Sequence, residues 1–451
     1  MVNTMAVNRE WLDRLIVLSL CSMIFTLPFS KSAVEICIIT AFVLWILKRS
    51  LSYDPKVPLI RIFKPPSSKL NLPIYLFIFA GFLSVVASAS VSLSLKGIFS
   101  KLLKEVILYF LVIETINNRK RLHFVLIFMV LSMLLIGADG IFQFSTYRDF
   151  LRGYLQEGRI TASFNTANGL GGWITVMLPL ALGMIFTGKA PRPKQAFKFI
   201  LFFLSCVLLF CLVMTRSRGA WVGSAFAMIF FIVCKKNRVF FIGMAIMSVL
   251  CIFFLAYLVC AHPGFTELLR ESVSFSANDG HLSFVRDFFI SVKNYAVQIM
   301  LKTDIVRTHL WREALSVIKD FPVFGCGLNT YSIVAPGYKG DIGGEAGFYP
   351  HNSYLQMAAE TGIVGLASFL IVVISLFRVS IKNLQKIKEA FYNSILIGLL
   401  AGLFGFLVHS FFDVNLYALQ LVNLMWFVMG LIIAVQRIAL KEESKSLGYN
   451  A

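Results

Sequence analysis

Charge is scarce in this chain. Only 14% of its residues are Asp, Glu, Lys or Arg and 58% are hydrophobic, where a soluble domain carries about 25% charged and about 45–50% apolar residues. That excludes an ordinary water-soluble globular protein. Several signatures of chemistry are missing too. There is no HExxH pair, no Walker phosphate loop and no DxD-like pair in a polar segment, so metal-dependent or nucleotide-driven reactions are not indicated, and neither metal nor cofactor is expected. A nucleophile elbow is also lacking. The eight cysteines form no CxxC or other metal-ligand spacing. Seven of them (Cys21, Cys37, Cys206, Cys211, Cys234, Cys251, Cys260) lie in or beside apolar runs and read as small core residues. Cys326 alone stands in a long polar stretch, and a Cys260–Cys326 bridge stays open as an alternative. No internal repeat or low-complexity tract is visible. The first apolar run has no convincing cleavage site and is followed at once by another, so it reads as a retained span.

What is abundant is long apolar sequence. About twelve stretches approach the ~20 residues that a membrane-crossing helix needs: 11–29, 33–47, 71–90, 98–116, 123–143, 168–187, 198–214, 219–234, 239–260, 353–377, 391–411 and 418–436. Lys101 and Lys104 stand early in the fourth, which makes it partly interfacial. With the N-terminus in the cytosol, the inner segments are 1–14, 48–70, 117–122, 188–198, 235–238, 378–390 and 437–451. These hold more than half of the 42 Lys and Arg residues, as the bias of basic residues toward short cytosolic loops requires. The net charge of +19 therefore reports topology rather than a nucleic-acid partner.

The expected architecture is an all-α polytopic membrane protein with one large external loop, partly helical. Residues 1–260 form a bundle of transmembrane helices 1–9, 261–350 the external loop, 351–436 helices 10–12 and 437–451 a cytoplasmic tail. Within the loop, 303–319 ("TDIVRTHLWREALSVIK") spaces Val306, Leu310, Ala314 and Val317, with Trp311, Leu315 and Ile318, as one apolar helix face. Pro322, Gly325 and Gly327 then end the helix in a tight turn. The Gly-rich stretch 339–350 reads as mobile.

Ionisable side chains gather on the outer side of this topology, where intramembrane or interfacial charge suggests function. Arg216 and Arg218 sit in the turn between spans seven and eight, Arg159 just before span six, and Arg307, His309 and Arg312 on the loop helix. Two arginines in a short outward turn run against the inside bias, and guanidinium forks bind phosphate oxygens bidentately. The anion expected at that face is a lipid-linked phosphate or diphosphate. His351 and Asn352 open span ten. On that helix Ser353, Gln356 and Glu360 share one stripe, which must face protein or water, so span ten is expected to look into a polar cavity with His351 at its rim. An imidazole there can accept a proton near neutral pH. Gly362 and Gly365 read as close-packing residues. His409 and Asp413, four apart, either satisfy each other or face a substrate.

Taken in order, these motifs resemble those of the bacterial O-antigen ligases and the related O-antigen polymerases. The family's H-[NSQ]-x9-G-x-x-G pattern is matched by His351, Asn352, Gly362 and Gly365, and its S-R-G turn by Ser217, Arg218 and Gly219. "WREALSVIKDFPVFGCGLNTY" (311–331), "RITASFNTANGL" and the His409…Asp413 pair also fit, over roughly 155–415. Thr-Ala stands where Thr-Gly is more usual, and the loop arginine can be matched as Arg307 or Arg312. The resemblance implies a GT-C-like enzyme of the inner membrane of a diderm bacterium, active on the periplasmic side. It would take a glycan from an undecaprenyl-diphosphate carrier and join it, with inversion and without metal, to a hydroxyl of lipid A-core or another glycan acceptor. His351 would be the general base. Arg218, Arg216, Arg159 and a loop arginine would bind the diphosphate, and Asn352, Glu360, His409 and Asp413 would be auxiliary polar groups. A polymerase of the same family, a protein O-oligosaccharyltransferase and a secondary transporter are the alternatives.

Overall fold

The computed structural model describes residues 2–51, 53, 62–153, 155, 158–188, 192–235, 306–338 and 349–446. The proposed span 239–260, loop residues 261–305 and 339–348, and the end of the tail lie outside them, as does Cys260 with the bridge considered for it. Among the described residues the chain is helical, with no β-structure beyond one isolated bridge between Arg148 and Leu155.

Helices stand at the other eleven expected spans. In chain order they are α1 (Val2–Thr26), α2 (Lys31–Ser50), α3 (Asn71–Val86), α4 (Val91–Gly97), which runs through a π-helical segment (Ile98–Leu103) into α5 (Lys104–Thr115), and α6 (Arg119–Thr146). α7 (Ala167–Ile185), α8 (Arg192–Met214) and α9 (Arg218–Lys235) follow. After the undescribed stretch come α10 (306–320), α11 (Tyr331–Val334), α12 (Ser353–Leu384), α13 (Ala390–His409) and α14 (Leu419–Ser446). Seven of these are long and apolar enough to cross a membrane. The fourth expected span starts earlier than its apolar run, at Val91, because the π-helical segment carries the helix through Lys101 and Lys104. Local signals set several starts. Ser30, Asn118, Thr166 and Asn352 each accept a backbone N–H from the first turn of the helix they precede.

The centre of the bundle is α14, α7 and α13, whose apolar windows are 89%, 83% and 78% buried, against 33% for α8, α9 and α12. α13 approaches α7 through small residues: a Cβ on Gly398 or Gly402 would lie 2.7 or 2.6 Å from the carbonyl oxygens of Pro179 or Val176. Membrane helices associate by such close packing because lipid is as apolar as their own side chains.

The two ends of the bundle differ. At one end, Asp13 takes Lys48 at 2.7 Å and Arg121 at 3.0 Å, Arg119 reaches Glu389 at 2.7 Å, and Arg49 pairs with Glu114. At the other end lie the starts of α7, α9 and α12, the ends of α8 and α13, and with them Arg159, Arg216, Arg218, His351 and His409.

Candidate active site

His351 occupies a left-handed backbone conformation, φ 46°, immediately before the Asn352 cap, whose side-chain oxygen accepts the N–H groups of Tyr354 and Leu355 at 3.0 and 3.1 Å. That turn aims the imidazole at the α13–α14 connection. His351 Nδ1 lies 3.1 Å from Asp413 Oδ1. Asp413 is itself fixed: the Val414 N–H donates to Oδ1 at 2.8 Å, and the Asp413 carbonyl accepts the Ser353 hydroxyl at 2.7 Å. The carboxylate is buried and the imidazole is 39% exposed. A carboxylate at Nδ1 selects the tautomer with the proton there and leaves the Nε2 lone pair facing outward, which is the form a general base needs. Burial works against the charge on Asp413. The hydrogen bond from His351 and the fields of His409 and His351 outweigh it, and hold the carboxyl below its usual range.

α12 is two helices. At Gly362 the backbone takes φ 65° and ψ −173°, values far from helical. The close-packing role expected of this glycine is therefore incomplete. It does lie against the backbone of Val323 and Phe324, but its main work is to break the helix, which only a residue without Cβ does cheaply. Residues 363–384 are about 33 Å long, one membrane thickness. Ser353 nevertheless bonds to Ser410 at the end of α13, at 2.9 Å. The half-helix 353–361 is therefore turned across the end of the bundle instead of projecting beyond it.

On that half-helix Ser353, Gln356 and Glu360 are 0%, 1% and 2% exposed. They face protein, not the polar cavity expected from sequence. Ser353 Oγ accepts the Leu416 N–H at 3.2 Å, and Glu360 accepts the N–H groups of Asn329 and Tyr331.

Two arginine motifs distant in sequence meet at this end. Arg159 donates through Nε to the Thr215 carbonyl at 2.8 Å and through Nη2 to Asn168 at 2.8 Å, while the Ile160 N–H bonds the Met214 carbonyl at 3.1 Å. The Arg159 loop thus lies along the α8–α9 turn that carries Arg216 (φ 50°) and Arg218. Gly219, beside Arg218, packs on Phe412 and on His409, a Cβ there being 2.9 Å from His409 Cδ2. Arg307 completes the group from the start of α10. Burial lowers the Arg159 guanidinium from its usual value; Asp413 opposes this, and Arg216 and Arg307 add to it. Arg307 also acts on His409. Arg312, about 140° further round the helix, is exposed. Of the two loop arginines left open by sequence, Arg307 is the half-buried one, and its charge acts on Arg159 and His409.

His409 and Asp413 do not satisfy each other. α13 ends at His409, so Asp413 lies past the helix and turns to His351. The His409 ring is enclosed by Gly172, Gly219 and Gly223, and its Nδ1 is buried without a hydrogen-bond partner. Among the described residues no three His, Cys, Asp or Glu side chains cluster as a metal site would.

Sequence reasoning missed Asp139 and Gln143. Gln143 Oε1 accepts the N–H groups of Thr161 and Ala162 at 2.8 and 2.9 Å. Asp139 accepts the Ser163 hydroxyl at 2.5 Å and the Phe150 N–H at 2.9 Å. These bonds hold Ala162 and Ser163 at positive φ, 40° and 65°, and fold the Arg159 loop onto α6. The available signal was two polar residues four apart inside an apolar run, hence on one helix face.

With this geometry in view, two comparisons bear on the chain. A family model described as O-antigen ligase matches residues 201–370. Among curated proteins, the exopolysaccharide production protein ExoQ of Rhizobium meliloti (strain 1021) is 28% identical over 118 residues, covering 24% of this chain. The aligned part spans 26% of that relative, about a quarter of its length. Both comparisons agree with the family resemblance read from sequence, the family model over residues 201–370, and the helical structure with its membrane-length spans bears out an all-α polytopic membrane protein.

Proposed function

We propose that this chain, whose residues 201–370 are of the O-antigen ligase type, is a membrane glycosyltransferase that moves a glycan from an undecaprenyl-diphosphate carrier to an acceptor hydroxyl. The observation that carries the reading is the His351–Asp413 pair, 3.1 Å apart, at the bundle end where Arg159 is bonded along the turn that carries Arg216 and Arg218.

The acceptor oxygen attacks the anomeric carbon from the face opposite the diphosphate. Its proton passes to His351 Nε2, a new C–O bond forms, and the old C–O bond breaks with its electron pair leaving on the diphosphate, so the centre inverts. Asp413 stabilises the imidazolium that results. Arg159, Arg216, Arg218 and Arg307 take the charge that grows on the leaving group, the place where fixed positive charge accelerates a reaction most. General-base assistance supplies about 10²–10⁴-fold, and orientation and leaving-group stabilisation supply the remainder. The sugar–diphosphate bond holds the driving energy, so no nucleotide is consumed. In this reading the enzyme sits in a bacterial inner membrane with both termini cytoplasmic and the site on the periplasmic side.

Lipid A-core is the favoured acceptor. A second reading, that the acceptor is another lipid-linked glycan and the product a polymer, is supported by the likeness to an exopolysaccharide production protein. Purified protein in nanodiscs, given a polyprenyl-diphosphate glycan with lipid A-core or alone, separates the two. Ligation requires the core, and polymerisation yields longer lipid-linked chains without it. Loss of either product in His351→Ala, with the protein still accumulating, is expected. Undiminished transfer by that variant would remove the base assignment.

A further inference from the structure

We propose that Glu360 is a positioning residue, which sets where the arginine-bearing segment 306–331 stands relative to His351. The assignment rests on the function proposed above, in which Arg307 binds the donor diphosphate.

The two groups that must cooperate come from different pieces of chain. His351 stands at one end of the half-helix 353–361 and Glu360 at the other. The break at Gly362 strips the helix of its own hydrogen bonds, and residues 322–327 supply replacements. Cys326 N–H donates to the Ala359 carbonyl at 2.8 Å and Gly327 N–H to the Glu360 carbonyl at 3.0 Å. In return the Pro322 and Val323 carbonyls accept the N–H groups of Ile363 and Val364, at 2.9 and 3.3 Å. The Glu360 side chain then locks the next residues, accepting Asn329 N–H at 2.8 Å, Tyr331 N–H at 3.3 Å and Gln356 Nε2 at 3.4 Å. Buried at 2% exposure, the carboxylate has protein donors on both oxygens. It is neither a spare base nor a substrate ligand.

The same segment is gripped from its far side. Lys101, in the π-helical segment before α5, donates to Asn329 Oδ1 at 2.6 Å, and Ala89 N–H bonds the Cys326 carbonyl at 2.8 Å. α10 rides on this clamp, since its Ala314 and Val317 form one small core with Cys326, Tyr331 and Ala359.

Arg307 lies about 15 Å along α10 from Val317. A tilt of roughly 4° at the clamp therefore moves its guanidinium by about 1 Å, and misplacements of ~1 Å can cost about 10²-fold in rate. Only an acceptor suits position 360. A glutamine there would turn its NH₂ toward one of the two backbone donors, leaving an N–H unpaired.

The test uses the full chain in nanodiscs, with Glu360→Gln as the isosteric variant and undecaprenyl diphosphate as the probe. Amide hydrogen exchange across 306–331 is expected to quicken about tenfold or more, with α7 and α13 unchanged. Affinity for undecaprenyl diphosphate should fall about tenfold, and the pH profile of transfer should keep its shape. Lys101→Met, which releases the clamp from its exposed side, should produce smaller changes of the same kind, and it serves if Glu360→Gln does not accumulate. Wild-type exchange together with wild-type affinity would overturn the proposal. Faster exchange with unchanged affinity would reduce Glu360 to a fold-stabilising residue and overturn it as well, and a displaced pH profile would place it in the proton chemistry instead. If the wild-type chain does not bind the probe, the functional reading falls and takes the positioning role with it, while the exchange data still show whether the clamp exists.

Discussion

Asp413 lies four residues beyond His409 in sequence, yet it pairs with His351, sixty-two residues away, at 3.1 Å between Oδ1 and Nδ1. The end of α13 produces this exchange of partners: the helix stops at His409 and the chain doubles back over Ser353. The pair orients the proposed base and has a pH dependence of its own. The folded-state pKa of Asp413 is depressed, so its stabilisation is present above the unfolded value of about 3.9 and is lost as pH falls through the lower folded value. Asp413→Asn should melt below wild type at neutral pH, and the gap should close as pH falls through the depressed folded value. Transfer by the variant should drop about 10²–10⁴-fold. A gap that widened on acidification would contradict the charge assignment.

Arg307 and Arg312 make an internal control, since they share a helix and differ in direction. Arg307→Ala should raise the KM for the lipid-linked donor by at least about tenfold, the value of one lost charge-assisted bond of about 1.5–3 kcal/mol. Arg312→Ala should stay within about 0.5 kcal/mol of wild type in stability and leave KM unchanged. Equal effects would mean that α10 presents another face to the donor.

Arg218→Lys tests whether geometry or charge matters at the α8–α9 turn. A lysine keeps the charge and loses the planar fork, so transfer should fall by at least about tenfold if the group holds a diphosphate. A fully active lysine variant would make Arg218 a headgroup anchor.

Gly362→Ala should compromise the fold before the chemistry. The alanine is forced to positive φ, which costs about 1–3 kcal/mol, and its Cβ runs into the backbone of Val323. Detergent-solubilised yield and melting temperature should both fall. A stable, active variant would show that α12 does not need its break.

Gln143→Leu removes the acceptor for two buried N–H groups, of Thr161 and Ala162. Each unmet donor costs about 1–3 kcal/mol. Amide hydrogen exchange at the buried Thr161 and Ala162 should quicken, and donor KM should rise with it, because the Arg159 loop is no longer held on α6. Unchanged exchange would assign the loop's conformation to other contacts.

The sequence by itself determined the solvent, the helical class and most of the ionisable groups of the candidate site. Apolar runs of membrane length dictate helices, because in lipid every backbone polar group must be bonded within its own segment, and helices stand at all the expected spans within the described residues. Arg159, Arg218, His351 and Asp413 were visible as polar groups where none is cheap. Only the tertiary structure decided who meets whom. A helical period places His409 and Asp413 on one face, but it cannot show that the helix ends between them. A glycine reads alike as a packing surface or as a break, and the positive φ at Gly362 exists because segment 322–327 arrives to bond the exposed backbone. Such long-range hydrogen bonds join residues with no periodic relation in the chain, so their partners are fixed by packing alone.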